Sequence, residues 1–480
     1  MIREKIRGGR GGRGGRGQTA PALGRCNVAF LLPPLPLLPL LPLLLFTPAL
    51  AAQDPVDQGV RLGITYTPGM RPGMLVLGGP HRELLDSVRT IIQRDLGYSD
   101  RFEMIYLPGG DSLVLGVSSP DASGSSDPSD LFVNYSLYAA LGADFAVSVL
   151  EEYDSTLSVN LYDVGGEAVR ASVRIYHTDP HAPDFRMAVH RASDAAVRAA
   201  TGEPGFAASR ILFVSRGWLY SVDSDGANNH TVSPPGTDTF SPGWSPDARS
   251  IVYTRLAEDG WGSIVVHDVE TRQESVIQPT AEYLNLSADF SPDGRTVVFS
   301  RSWDEGTQLF SYNLAQDCCL QRLTVGRLSD NLSPAFSPDG RRIVFESNRV
   351  GLAQIYIMST DGIDQELFAP YDYGVTGDSH SPSWSPDGLS LAFHRTVAAS
   401  PQLFVMDVRG RTVRQLTSAG RNEDPTWAPD GRHIAFKSSR TGGVQIWVID
   451  IETGRIRQLT RLGQTRMPSW SAPITESNQP

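Results

Sequence analysis

Asp293, Asp339, Asp387 and Asp430 each stand between a proline and a glycine, and Asp247 stands between a proline and an alanine. A carboxylate in such a turn could hold a cation, act as a general base, or fold back onto its own backbone. Sites this alike seldom share one reaction. The turn itself accounts for each residue, because proline fixes φ, glycine accepts positive φ and aspartate caps the bend. These carboxylates therefore read as structure. The polar residues a few positions upstream differ from copy to copy, and they are the candidates for recognition. They are Asp238 and Thr239, Asn285 and Ser287, Asn331 and Ser333, His380 and Ser381, Glu423 and Asp424, and Arg466. Loop residues on a rigid scaffold commonly carry binding; the competing reading is that they cap strands and are solvated.

Other groups with chemical potential are weaker. His177-Thr-Asp-Pro-His181 sets a carboxylate between two imidazoles, but no third ligand is in view and a polar loop is the better reading. Gly78-Gly-Pro80 lacks both the lysine of a phosphate loop and the three-glycine dinucleotide spacing. Asp223-Ser-Asp-Gly226 and Thr360-Asp-Gly362 read as hairpin turns, without the spacing of a calcium loop. Cys26 lies in the leader. Adjacent Cys318 and Cys319 could close only a strained ring, and are expected to be two small residues of a sheet. No Gly-x-Ser-x-Gly elbow occurs, so a serine hydrolase of that type is disfavoured. Neither a cofactor nor a metal site is expected, and the chain reads as a non-enzyme.

What must position the candidates is a repeat. An aromatic residue precedes Ser/Ala-Pro-Asp at Trp244, Phe290, Phe336, Trp384 and Trp427, and Trp470-Ser471 is a truncated copy; the steps are 46, 46, 48, 43 and 43 residues. After each turn comes an apolar strand such as Val297-Val-Phe299 or Ile434-Ala-Phe436. A third strand follows, such as Leu309-Phe310 or Ile446-Trp447, and then a fourth, such as Val413-Arg-Gln-Leu-Thr417. Four antiparallel strands at this period make one propeller blade. Ile211-Leu-Phe213, Leu219-Tyr220 and Thr231-Val232 precede the first aromatic, and no strand set follows Trp470. The expectation is six blades over 204–475, closed by pairing of the C-terminal strand with the first blade, which leaves no sheet edge exposed.

Before the repeats, 52–203 is expected to be an α/β domain. It has helices over 82–96, 135–141 and 185–200, and strands at 60–66, 74–77, 102–107, 145–150, 157–162 and 169–176. Residues 118–130 are almost entirely Ser, Asp, Gly and Pro, which reads as a loop. Residues 1–51 combine an Arg/Gly-rich start, an apolar middle and Ala49-Leu-Ala51, the parts of a secretory signal peptide cleaved after Ala51. Five prolines from Pro33 to Pro42 argue against a membrane helix there. The whole chain carries −11; without the leader, 35 basic and 52 acidic residues leave −17. Such an acidic body disfavours nucleic acid. A monomer with no integral membrane segment after processing, and a short tail at 476–480, complete the expectation.

These features resemble the TolB family of periplasmic proteins. The likeness is carried by the repeats, by Leu141-Gly-Ala-Asp-Phe-Ala-Val-Ser148 and Leu157-Ser-Val-Asn-Leu-Tyr-Asp163 in the preceding domain, and by the join Ala208-Ser-Arg-Ile-Leu-Phe-Val214. The resemblance implies a periplasmic, non-catalytic scaffold of the Tol–Pal system, which serves outer-membrane integrity and cell division. It implies that the propeller binds a Pal-type lipoprotein and that the mature N-terminus, 52–59, contacts TolA. The alternatives are the propeller of a prolyl-oligopeptidase-type hydrolase and an exported propeller that binds a ligand or polymer.

Overall fold

The computed structural model describes residues 71–475, apart from 79–81, 107–115, 118–130, 153–155, 177–178, 183, 235, 259, 278–282, 304 and 370–376. The unit Met1–Gln58 lies wholly outside the described residues; all that follows belongs to Gly59–Pro480. The leader with its cleavage after Ala51, the tether at 52–59, the strand at 60–66, the loop at 118–130 and the tail at 476–480 also lie outside the described residues. So do His177 with Thr178, and Gly79 with Pro80.

The chain is mostly β, with few helices. Its first sheet runs in the order β2 (Glu103–Ile105), β1 (Gly73–Val76), β5 (Phe145–Glu151), β6 (Leu157–Asp163), β7 (Ala168–Ile175). β3 (Gly116–Val117) and β4 (Leu131–Phe132) form a separate small pair. β1 runs parallel to both neighbours, and β5 to β7 are antiparallel. Apolar residues at three- and four-residue steps make α1 (Glu83–Tyr98) and α3 (Phe185–Thr201) amphipathic, and both lay that stripe on one face of the sheet. α2 (Tyr135–Ala140) helps cover the other face, where Tyr138 is buried with Leu75, Ala146 and Tyr162. Its N-terminus is capped by Asn134, whose side chain accepts from Leu137 N at 3.0 Å. α3 stops at Gly202, whose φ of 80° turns the chain into a left-handed cap.

The repeats follow as antiparallel four-strand units. β8 (Arg210–Ser215), β9 (Trp218–Asp223) and β10 (His230–Thr231) form a sheet with β31 (Thr465–Trp470), which pairs antiparallel with β8. Next come β11 (Asp238–Trp244), β12 (Ser250–Leu256), β13 (Gly262–Asp268) and β14 (Glu274–Ile277). Then follow β15 (Leu284–Phe290), β16 (Thr296–Trp303), β17 (Gly306–Asn313) and β18 (Cys318–Arg322). The fourth run is β19 (Ser329–Phe336), β20 (Arg342–Ser347), β21 (Gln354–Ser359) and β22 (Glu366–Leu367). Last are β23 (Ser379–Trp384), β24 (Ser390–Val397), β25 (Ser400–Asp407) and β26 (Val413–Gln415), then β27 (Asn422–Trp427), β28 (His433–Ser438), β29 (Gln445–Asp450) and β30 (Ile456–Gln458). Each second strand buries one ring completely: Phe213, Tyr253, Phe299, Phe345, Phe393 and Phe436. At the turns, the serine hydroxyl donates to the aspartate at 2.6 Å in Ser245–Asp247 and Ser291–Asp293, and at 2.5 Å in Ser337–Asp339 and Ser385–Asp387. That bond, together with a backbone N–H two residues on, holds Asp293 and Asp339 below the usual carboxylate range.

Between repeats the joint is polar and buried. Thr324 donates to Gln308 Oε1 at 2.8 Å and accepts from Leu309 N at 2.9 Å, while Asn331, on the next first strand, donates to the same Gln308 oxygen at 3.1 Å. Thr417, Gln402, Leu403 and Asn422 repeat the arrangement at 2.9, 3.0 and 2.8 Å. Arg349 and Arg440 then donate to the oxygens of Asn331 and Asn422 at 2.9 and 3.0 Å, each guanidinium lying over two rings.

The first sheet's helices meet the turn end of the repeats through buried charge. Arg432 makes a two-point pair with Asp450 (2.8 and 2.6 Å) and donates to Asp100 O at 3.1 Å; Arg455 pairs with Asp100 at 2.7 Å. His433, fully enclosed, has Nδ1 2.7 Å from Asp430 and Nε2 3.4 Å from Asp100. Arg94 and Arg186 both pair with Asp225, in the β9–β10 turn, and the Arg457 guanidinium lies 4.1 Å from the Tyr98 ring centroid. Asp194 accepts from Ala207 N and Ala208 N, both at 2.8 Å, and so pins the passage from α3 to β8; burial pushes its carboxyl up to about 7.

One expectation is corrected here. Cys318 and Cys319 are joined in a disulfide rather than lying as two independent small residues. The local backbone is not that of a regular strand, since Cys319 has φ 68°.

Burial lowers the proton affinity of His433, but Asp430 and Asp100 outweigh it and raise the imidazole above 6.5; Asp95 does the same for buried His190. A raised histidine contributes stability that is complete below about pH 6.5 and is lost as pH rises through the native value. The melting temperature of the full chain should therefore fall as pH rises above about 6.5. His433→Gln should flatten that slope while lowering the acid-side value. A wild-type curve that is flat or rising above that pH would contradict the assignment.

Candidate functional site

Every first strand carries a bulge at the same place. The register shifts between Phe240 and Gly243, Leu286 and Asp289, Leu332 and Ala335, His380 and Ser383, Glu423 and Thr426, and Arg466 and Ser469. The residue three before each aromatic is left-handed: Ser241 (φ 47°), Ser287 (51°), Ser333 (50°), Ser381 (50°), Asp424 (56°) and Met467 (52°). A bulge inserts one residue, bends the strand and re-aims its side chains. Neighbouring bulges touch: Ser241 Oγ lies 3.5 Å from Ser287 Oγ, Ser381 Oγ donates to Asp424 at 3.3 Å, and Ser241 N donates to Met467 Sδ at 3.3 Å.

One residue earlier stand Phe240, Leu286, Leu332, His380, Glu423 and Arg466, all half-buried. They divide into an apolar arc and a charged arc, joined where the Arg466 guanidinium lies 4.8 Å from the Phe240 ring centroid. His380 stacks on His394 at 5.3 Å and lies 3.1 Å from Glu346. Burial lowers the His380 proton affinity, yet Glu346 outweighs it and the imidazole sits above its ordinary value; burial dominates at His394 and pulls it down. Glu423 is held by Lys437 and Arg421, and these cations keep its carboxyl low against the upward pull of burial. Exposed Val325, Leu328, Val350 and Leu352 lie in the β18–β19 and β20–β21 connections at this same end.

The sequence candidates thus fall into two groups. Asp238 is exposed, and Ser287, Ser333, His380, Ser381, Glu423, Asp424 and Arg466 belong to the bulge ring. Asn285, Asn331 and Thr239 do not: the asparagines are 1% exposed and Thr239 is 0%. Asn285 donates to Gly262 O and accepts from Arg301, and Thr239 donates to Gly217 O. Their groups are spent on the joints between repeats, so they build the face without presenting themselves on it. Phe240, Leu286 and Leu332 were missed because polarity was the criterion; their fixed offset from each aromatic was the available signal.

Among the described residues, Asp95, His190 and Asp225, and also Asp100, His433 and Asp450, lie close enough to share an ion. Arginines already neutralise Asp225, Asp100 and Asp450, and their positive charge opposes a second cation, so these read as ion-pair clusters.

The sequence profile of the TolB beta propeller domain matches residues 197–370 and 373–475. The chain belongs to the TolB beta propeller domain family. A relative named Tol-Pal system protein TolB, from Anaplasma marginale, is 39% identical over 94 residues, which is 18% of this chain and 21% of that protein. Its namesake from Methylococcus capsulatus is 30% identical over 180 residues, 35% of this chain and 39% of that protein. The chain therefore spans well under half the length of these TolB relatives. The crystal structure of TolB from Acinetobacter baumannii superposes with a TM-score of 0.68, covering 84% of this chain and 97% of that one. At 22% identity this likeness shows the fold alone.

A left-handed backbone costs a residue with a Cβ about 1–2 kcal/mol, and a β-branched side chain more. Ser333 already bears that cost, so Ser333→Val should lower stability by the added strain of the β-branch, whereas Ser333→Gly should be neutral or slightly stabilising. Urea melts of the two variants check this; equal midpoints would contradict the bulge geometry.

Proposed function

We propose that this chain is a non-catalytic scaffold of the Tol–Pal type, exported to the periplasm through a leader cleaved after Ala51. In this reading 52–203 is an α/β domain and 204–475 a propeller of six blades, closed between β31 and β8. Its bulge end docks a Pal-type lipoprotein, its mature N-terminus serves TolA, and the assembly supports outer-membrane integrity during division. The carrying observation is the contrast between the two ends of the repeats. The turn end is engaged by buried charge from α1 and α3, while the bulge end offers a divided apolar and charged ring with exposed apolar loops around it. Such a surface, rimmed by polar groups, suits a protein partner. The β31–β8 pairing supports closure, and the names of the relatives support the partner system. Among the described residues, no helix is long and apolar enough to cross a membrane.

The test is binding of the purified chain to the Pal-type lipoprotein of its own envelope. Asp238→Lys and Arg466→Glu are the informative reversals, because Glu423 is tied to Lys437 and its reversal would disturb the fold as well. Each should weaken the complex about tenfold or more with little change in melting temperature. Unchanged affinity in both variants would remove this face. Peptide hydrolysis abolished by one serine substitution would favour the hydrolase reading.

A further inference from the structure

Third and fourth strands pair in continuous register in β9–β10, β13–β14, β21–β22, β25–β26 and β29–β30. Among the described residues, only β17–β18 departs from this. Its register shifts between Ser311 and Asn313, so that Cys319 and Leu320 both stand opposite Tyr312. Successive side chains of a regular strand point to opposite faces, so neighbouring cysteines in one cannot reach each other. The extra residue and the left-handed backbone of Cys319 bring the two sulfurs to one side. Bond and bulge are thus one feature, confined to the one repeat that has the cysteines.

The pair is also reachable. Among the described residues β18 is laddered to β17 on one side, and Cys319 is exposed while Cys318 is half-buried. We propose that Cys318 and Cys319 form a two-electron redox site, opened and closed by exchange with a dithiol, either small or carried by a Cys-x-x-Cys protein. One thiolate of the dithiol attacks Cys319 Sγ; the bond to Cys318 breaks and its electron pair leaves on Cys318 Sγ, which takes up a proton. The second thiol of the reductant then attacks the mixed disulfide, releasing Cys319 as a thiol and closing the reductant's own disulfide. The chain gains two electrons and two protons, and the dithiol loses the same. Gln316 Oε1, 3.7 Å from Cys318 Sγ, is placed to accept the S–H of the open form. Once open, the pair no longer holds the bulge, and β18 can take the continuous register of its counterparts. None of this depends on the Pal-binding reading.

The test equilibrates the folded full chain in ratios of reduced to oxidised dithiothreitol, followed by rapid alkylation. Mass is read on the peptide holding both cysteines, so Cys26 does not interfere. Two thiols should appear together and reversibly, without loss of the β circular-dichroism signal. Cys318→Ser should show one thiol at every ratio. Hydrogen exchange at Asn313 and across 318–322 should differ between the two states. Two free thiols at every ratio, or a bond that opens only in denaturant, would overturn the site. Opening with unchanged exchange would overturn its coupling to the bulge.

Discussion

Thr417 meets two demands in the buried space between repeats. Its hydroxyl accepts the Leu403 N–H and donates to Gln402, whose oxygen also receives the Asn422 amide of the following repeat. Thr324, Gln308, Leu309 and Asn331 do the same two joints earlier, between β18 and β19. Each such bond adds only about 1 kcal/mol when made, but leaving a buried partner unpaired costs about 1–3. Apolar packing alone would let one sheet slide on the next. At these two joints the shared Gln oxygen ties third, fourth and next first strand together at one point, and so fixes where β19 and β27 enter.

That entry point decides where the bulges fall. With Asn331 and Asn422 locked in the joint, the second residue on, Ser333 or Asp424, takes the left-handed bend at the register shift. Strain of this kind persists only when the surroundings over-determine it. At Ser333 and Asp424 the joint over-determines the bend, which would reduce the ordering cost of the binding proposed there. At the other end the turns are self-contained, except where α1 and α3 meet them. There Asp430 leaves the common pattern: Ala428 replaces the serine, and the carboxylate turns to His433.

The period of the aromatics, the strand sets and the helices over 83–98 and 185–201 were legible because each rests on local pattern: turn chemistry, alternation, or a three- and four-residue stripe. The bulge was not, since nothing in Asn-Leu-Ser-Pro demands positive φ without the neighbouring repeat. Asn285 and Asn331 illustrate the difficulty: polar residues near a loop look exposed in sequence, and only the joint shows where their amides are spent. The Cys318–Cys319 bond was hidden for a related reason, because regular strand geometry forbids it and a register shift allows it. Buried ionic contacts such as Asp100 with His433 join residues more than 300 positions apart, beyond the reach of any spacing argument.

The proposed function gives the two ends of the repeats different work, the turn end intramolecular and the bulge end intermolecular. Hydrogen exchange of the full chain with and without a Pal-type lipoprotein tests it most directly. New protection should appear at 238–241, 284–287, 330–333, 378–381, 421–424 and 464–467, with no change in the turns around Asp293, Asp339 and Asp387. Protection confined to those turns, with the bulge strands unaffected, would contradict it.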